Sequence, residues 1–138
     1  MIRTSSAAGT IKLGERIAGL LEPGSVVALT GELGAGKTTL IQGIAKGLGI
    51  KNYVTSPTFT IINEFKGTIP LYHVDLYRLE APDISELGLD ECFDRGGVTV
   101  IEWAEKMDRG LPGDAIRIKI VRRSENAREF MIKGLNLQ

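Results

Sequence analysis

Residues 31–38 read Gly-Glu-Leu-Gly-Ala-Gly-Lys-Thr, matching G-x-x-x-x-G-K-[ST] without a gap. Three glycines in six positions let the backbone curl until successive N–H groups face one point, a geometry that only a turn supplies. The flanks agree with a turn. Residues 25–30, SVVALT, form the short β-branched and apolar run of a buried parallel strand. From Lys37 onward Leu40, Ile41, Ile44, Ala45 and Leu48 make one helical stripe, and Gly47 and Gly49 mark its end. Strand, glycine turn and helix amino terminus together build a concavity for an anion, because inward N–H groups and the helix dipole both favour negative charge. A turn that merely joined strand to helix would need neither the Lys-Thr pair nor these flanks, and the octapeptide arises by accident in well under about one chain in a hundred of this length.

The rest of the chain extends this strand-helix theme. Residues 10–21 place Ile11, Ile17, Leu20 and Leu21 at helical spacing ahead of Pro23 and Gly24. Residues 59–65 and 69–77 have strand character around Lys66, Gly67 and Thr68, which predicts an antiparallel hairpin. A short helix or helical turn is expected over 83–94 after Pro82, a strand over 98–101 ending at Glu102, and a helix over 103–109. Residues 114–122 and 129–133 alternate as a closing strand pair around Ser124, Glu125 and Asn126. Strands interleaved with helices, plus hairpins, give a three-layer α/β domain of the P-loop NTPase type with a mixed parallel and antiparallel central sheet, expected to be one domain over residues 1–138.

Charge and cysteine content narrow the setting. Seventeen basic and seventeen acidic residues cancel, so no strong positive field is available for tight, independent binding of a nucleic acid. Cys92 is the only cysteine and cannot form an internal disulfide. No stretch has the length of a membrane span, and the amino terminus does not read as a signal peptide, so a cytoplasmic protein without a membrane partner is expected.

Within the concavity, Gly31, Glu32, Leu33, Gly34, Ala35 and Gly36 supply the cradle, Lys37 is expected on the β and γ phosphates, and Thr38 offers its hydroxyl to Mg²⁺. Thr39 beside it belongs to the same nucleotide-binding set. A hydrolase of this kind also needs a carboxylate near the metal and a group that orients the attacking water. Val98, Thr99, Val100 and Ile101 lead into Glu102, and Leu71, Tyr72, His73 and Val74 lead into Asp75. Glu102 is assigned to the metal and Asp75 to the metal shell or the water, the two being open to exchange; the bland alternatives are a helix-terminal charge and an ion pair with Arg78. His73 reads as a structural strand residue. The hydroxyl-rich residues Thr55, Ser56, Pro57, Thr58 and Phe59 read either as a switch segment reaching the γ phosphate or as an ordinary turn around Pro57. No Asn-Lys-x-Asp is present to read guanine, which favours ATP.

Taken in order, GELGAGKTTL, SPTFTIINEF, LYHVDLYRL and VIEWAEK resemble the TsaE family, also called YjeE, over about residues 10–106. The resemblance implies a bacterial ATPase that supports formation of threonylcarbamoyladenosine in tRNA by acting with a TsaB–TsaD heterodimer, so that tRNA is reached only through the complex. Carried over by residue, it implies ATP and Mg²⁺ as cofactors, metal and hydrolysis roles for Thr38, Asp75 and Glu102, a switch over 56–59 that includes Thr58, a place for Trp103 after the acid, and adenine contacts from Thr10 and Leu13.

Two other functions compete. A small-molecule P-loop kinase would need arginines to clamp the transferred phosphate, and Arg78 and Arg95 are the mid-chain candidates. A nucleotide-gated binding module with negligible hydrolysis would not need Asp75 and Glu102. Ile116, Ile118 and Ile120 alternate with Arg117 and Lys119, and Arg122, Arg123, Arg128 and Lys133 follow, so one face of the closing strands is locally basic: a solvated sheet face, or a contact for tRNA or an acidic partner.

Overall fold

The fold was obtained as a computed structural model, which describes residues 1–32, 35–53, 61–77, 79–80, 83–84, 87–107 and 110–137. In chain order the elements are β1 (Ile2–Thr4), α1 (Ala7–Ala18), β2 (Val26–Thr30), α2 (Lys37–Gly47), β3 (Ile62–Phe65), β4 (Leu71–Asp75), α3 (Leu89–Phe93), β5 (Val98–Glu102), a 3₁₀ turn (Ala104–Lys106), β6 (Ile116–Arg122) and β7 (Arg128–Lys133). Seven strands form one sheet in the order β1-β7-β6-β2-β5-β4-β3. The central strands β6, β2, β5 and β4 run parallel, while β3 at one edge and β7 and β1 at the other are antiparallel. The expected mixed sheet is therefore present: α2 and α3 lie on the connections among the parallel strands β2, β4 and β5, the 3₁₀ turn on that from β5 to β6, and β3 and β7 join as hairpin partners of β4 and β6.

Alternation along each strand divides the interior into two cores. On one face Val27, Leu29, Leu71, Val98, Val100, Ile118, Ile120 and Phe130 pack beneath α1 and α2. On the other, Val26, Ala28, Val74, Ile101 and Ala115 pack with Leu89 of α3 and with Leu76, Ile84 and Ala104 from connecting segments. This second layer is thin, and none of its buried residues comes from β6 or β7. Each fully buried Leu, Ile or Phe contributes about 1.5–3 kcal/mol by removal from water, so the first core, sealed by two long helices, dominates the stability.

The two helices touch through glycine. A Cβ on Gly43 would lie 2.2 Å from the carbonyl oxygen of Ile11, and one on Gly14 would lie 2.5 Å from that of Leu40. Backbone therefore meets backbone where α1 crosses α2, and α1 fixes the helix that carries Lys37.

Several boundaries differ from expectation for local reasons. Helix α1 begins three residues earlier than the apolar stripe, because the Ser6 hydroxyl caps it by accepting from the Gly9 N–H at 3.0 Å. It ends at Ala18, and the Gly19 N–H closes back on Glu15 and Ile17. The β3–β4 hairpin is shorter than the strand-like sequence, with Pro70 fixing the start of β4; residues 59 and 60 of the expected strand lie outside the described residues. Of the helix expected over 103–109, the described residues form a single 3₁₀ turn, because Trp103 has φ 59° and ψ 39°, a left-handed conformation from which an α-helix does not start, and residues 108 and 109 lie outside the described residues. Strand β1, with only three residues, offers no periodicity and was not expected.

Candidate functional site

The carboxyl ends of the parallel strands converge beside the glycine-rich loop. Asp75 and Glu102 stand directly opposite each other in the β4–β5 pairing, and Glu102 also faces Leu29 on β2, one residue before Thr30 and two before Gly31. By alternation His73 and Asp75 on β4, and Val100 and Glu102 on β5, share the face covered by α1 and α2. Both expected acids thus point to the side of the sheet on which α2 begins.

The loop has the backbone that its glycines permit. Gly31 has φ 146° and Gly36 has φ 107°, and Gly36 is the N-cap of α2. Arg128 lies against it: a Cβ on Gly36 would come 3.3 Å from the Arg128 Nε. The same guanidinium donates through Nη1 to the carbonyls of Ser124, Glu125 and Ala127. The turn between β6 and β7 therefore leans on the glycine-rich loop, a contact between residues about ninety positions apart in sequence that no local motif signals. Leu33 and Gly34 lie outside the described residues; Ala35 is buried, Glu32 and Thr38 are exposed and Thr39 is half-buried.

Lys37 is the charged residue nearest the loop interior. It is only 5% exposed, its ammonium donates to the Gly31 carbonyl at 2.6 Å, and it sits 3.6 Å above the centre of the Trp103 ring. Burial lowers its pKa from 10.5, opposed by the negative charges of Glu102, Glu105 and Asp75. Trp103 packs against Tyr77 with ring centres 5.0 Å apart. A non-glycine residue in the left-handed region holds about 1–3 kcal/mol of strain, and here that strain delivers an indole face to the lysine.

Glu102 is anchored from behind. Its Oε2 is 2.7 Å from His73 Nε2, and the Nδ1 of the same imidazole is 3.2 Å from the Tyr53 hydroxyl. Glu102 and His73 are both buried, and burial followed by the Glu102 charge pushes the Tyr53 phenol well above its usual range. His73 is thus more than the strand filler expected from sequence: it fixes one carboxylate oxygen. Asp75 is more open, and its Oδ1 accepts from the Tyr77 N–H at 3.0 Å. Arg78, its suggested ion-pair partner, lies outside the described residues, as do residues 54–60 with Thr58 and the suggested switch.

Thr10 and Leu13 sit on α1. The Thr10 and Thr4 hydroxyls share a hydrogen bond at 2.7 Å, and Leu13 is 3% exposed within the first core. Among the described residues no three His, Cys, Asp or Glu side chains cluster as a metal cage. A divalent ion here would be held by Thr38, one strand-end carboxylate, water and phosphate oxygens, the sparse protein ligation that Mg²⁺ accepts.

Comparison with known proteins settles the family. The model of threonylcarbamoyl adenosine biosynthesis protein TsaE matches residues 4–130. The chain belongs to the TsaE family. It is 45% identical over 129 residues to the tRNA threonylcarbamoyladenosine biosynthesis protein TsaE of Bacillus subtilis, covering 93% of this chain and 81% of that protein. It is 42% identical over 128 residues to TsaE of Treponema pallidum, covering 92% and 95%. The crystal structure of Bacillus subtilis YdiB superposes with a TM-score of 0.81 at 42% identity, over 94% of this chain and 80% of that one. The TsaE assignment places the chain in the biosynthesis of threonylcarbamoyladenosine in tRNA, as the four sequence segments suggested.

Proposed function

We propose that this TsaE-family protein is a Mg²⁺-dependent ATPase that serves tRNA modification by acting on a TsaB–TsaD complex. The observation that carries the reading is the side-by-side register of Asp75 and Glu102 at the strand ends, beside the glycine-rich loop that carries buried Lys37. Nucleotide phosphates against the 31–38 loop would meet backbone N–H groups, the α2 dipole and Lys37, which leaves the Gly31 carbonyl and the Trp103 face to bind them. Mg²⁺, when bound, supplies charge neutralisation at the phosphate oxygens. Thr38 and Glu102 would hold the ion, with His73 fixing the Glu102 carboxylate. Asp75, more exposed and outside that hydrogen-bond chain, is suited to orient the attacking water and take its proton.

The kinase alternative loses one of its arginines. Arg95 lies before β5, at the amino ends of the strands, within 4.0 Å of Glu91 and 5.9 Å from the Tyr72 ring centre, away from the 31–38 loop. Among the described residues no helix is long and apolar enough to cross a membrane, in keeping with work on tRNA in the cytoplasm.

The test is hydrolysis of ATP and GTP, with and without Mg²⁺, by the protein alone and with TsaB and TsaD, using Lys37→Ala as the blank. The proposal expects turnover that prefers ATP, requires Mg²⁺, rises with the partners and vanishes in the variant. Turnover unaffected by the partners would sink the coupling to TsaB–TsaD, and turnover retained by Asp75→Ala/Glu102→Ala would sink the assigned chemistry.

A further inference from the structure

The thin second layer leaves the outer face of β6 and β7 with a feature that the nucleotide site does not use. A groove of about 330 Å³ runs along it. Met107, Leu111 and Met131 supply its apolar surface, and Arg117, Lys119 and Lys133 its charged walls. Alternation produces this arrangement: Ile116, Ile118 and Ile120 enter the first core, so Arg117 and Lys119 face the other way and are exposed. Antiparallel pairing then sets Lys119 opposite Met131 and Arg117 opposite Lys133.

Two like charges directly opposite on one sheet face destabilise the pair. Elsewhere on the same wing such charge is compensated, since Arg3 and Arg123 converge on the buried Glu129 carboxylate. Arg117, Lys119 and Lys133 have no ion-pair partner among the described residues, although the whole chain is neutral and Glu105 lies on the same groove wall. The locally basic face noted in the sequence therefore centres on these three residues. Arg123 is held by Glu129, and the Arg122 Nε is engaged by the Ser124 carbonyl.

The lining also selects the kind of occupant. Among its described residues there is no Phe, Tyr, Trp or His, so these offer unstacked bases no aromatic platform. Its two methionines give a polarizable, adaptable surface of the sort that accommodates varied apolar side chains. Cations with no ion-pair partner among the described residues, set around such a surface, complement carboxylates flanking a bulky apolar residue. We propose that this groove is a docking site for an acidic protein segment that inserts a bulky apolar side chain between Met107 and Met131. It begins beside Thr30 and Ala104, next to the loop and Trp103 but on the opposite sheet face from Lys37.

The methionines provide the test, since the chain has three and only Met1 lies outside the groove. The full-length protein, labelled with ¹³C at the methionine methyls and without nucleotide, is titrated with the peptide acetyl-Glu-Asp-Glu-Leu-Phe-Glu-Asp-Glu-amide. Parallel titrations use the analogue with Gln and Asn for the acids and a single-stranded RNA octamer. The expected result is saturable shifts of Met107 and Met131 with Met1 unmoved, and binding at least about tenfold weaker for the neutral peptide. Lys119→Glu/Lys133→Glu should weaken binding by a similar factor and Arg122→Glu should not; should the reversal variant fail to fold, Lys119→Gln/Lys133→Gln replaces it. Unmoved Met107 and Met131, equal binding of the neutral peptide, equal loss in Arg122→Glu, or tighter binding of the RNA would each overturn the proposal. Because neither nucleotide nor hydrolysis enters the measurement, its outcome is separate from that of the ATPase reading.

Discussion

At the residue scale the site is built from groups held against their own preferences. Lys37 is charged and buried, and burial lowers its pKa. The unfolded chain consequently binds that proton more tightly than the folded chain. Lys37 therefore subtracts from stability at neutral pH, and the deficit disappears as pH rises from the lowered folded value toward 10.5. Lys37→Met should abolish nucleotide binding yet unfold at a urea midpoint no lower than wild type at neutral pH. It should also lack the wild-type gain on the alkaline side, which urea titrations across pH would reveal. A lower midpoint would mean that the Gly31 and Trp103 contacts outweigh desolvation. The His73–Glu102 contact makes the complementary case. Removing the imidazole with His73→Ala leaves a buried carboxylate and the Tyr53 hydroxyl without their partner. That should lower stability by about 1–3 kcal/mol and reduce hydrolysis about 10- to 100-fold through a poorly held Glu102. Equilibrium unfolding and steady-state turnover measured on the same preparation would check both, and unchanged turnover would reduce His73 to packing.

Among elements, the crossing of α1 and α2 sets where Lys37 and Thr38 stand. Gly43→Ala would push a methyl to 2.2 Å from the Ile11 carbonyl oxygen, a backbone atom that cannot rotate away. The helices would have to separate, at about 1–3 kcal/mol or more. Gly19→Ala is the control: Gly19 has φ −63°, and its nearest neighbour to an added Cβ is 3.5 Å away. Gly43→Ala should lower the unfolding midpoint clearly, and Gly19→Ala should leave it unchanged or slightly raised, since alanine favours helix over glycine; a midpoint for Gly43→Ala no lower than that of Gly19→Ala would mean that the crossing tolerates the methyl. This scale also explains which elements could be read in advance. The strand before the loop and the strand ending in Glu102 carry contiguous apolar runs, and α2 carries an apolar stripe at helical spacing, so their existence and type were legible. The start of α1 depended on a single capping hydroxyl, the turn after Glu102 on the φ of one tryptophan, and β1 on pairing with a strand more than a hundred residues away. None of these leaves a periodic trace.

For the whole molecule, legibility of the site follows from topology. The loop is contiguous and declares itself, and strand-end acids are expected wherever parallel strands finish at a glycine-rich turn. Their mutual register, the Tyr53–His73–Glu102 chain and the contact of Arg128 with Gly36 arise only once the sheet is ordered β6-β2-β5-β4, because each joins residues from different elements. A ligand held by such convergent parts binds the folded state alone, so it must raise global stability by mass action, by about 2.7 kcal/mol at a hundredfold excess over the dissociation constant. Mg²⁺ with a non-hydrolysable ATP analogue should therefore raise the thermal midpoint of wild type in a concentration-dependent manner, and the GTP counterpart should raise it less. Lys37→Met, folded but without the ammonium proposed to hold the phosphates, should show no shift. Glu102→Gln should retain a shift that depends less on Mg²⁺, since on the proposed reading the loop would still meet the phosphates while the carboxylate proposed for the metal is gone. Differential scanning fluorimetry with the ion and nucleotide varied independently separates these cases. A shift in Lys37→Met equal to wild type would place the ligand elsewhere on the molecule, and identical Mg²⁺ dependence in Glu102→Gln would move the metal role to Asp75.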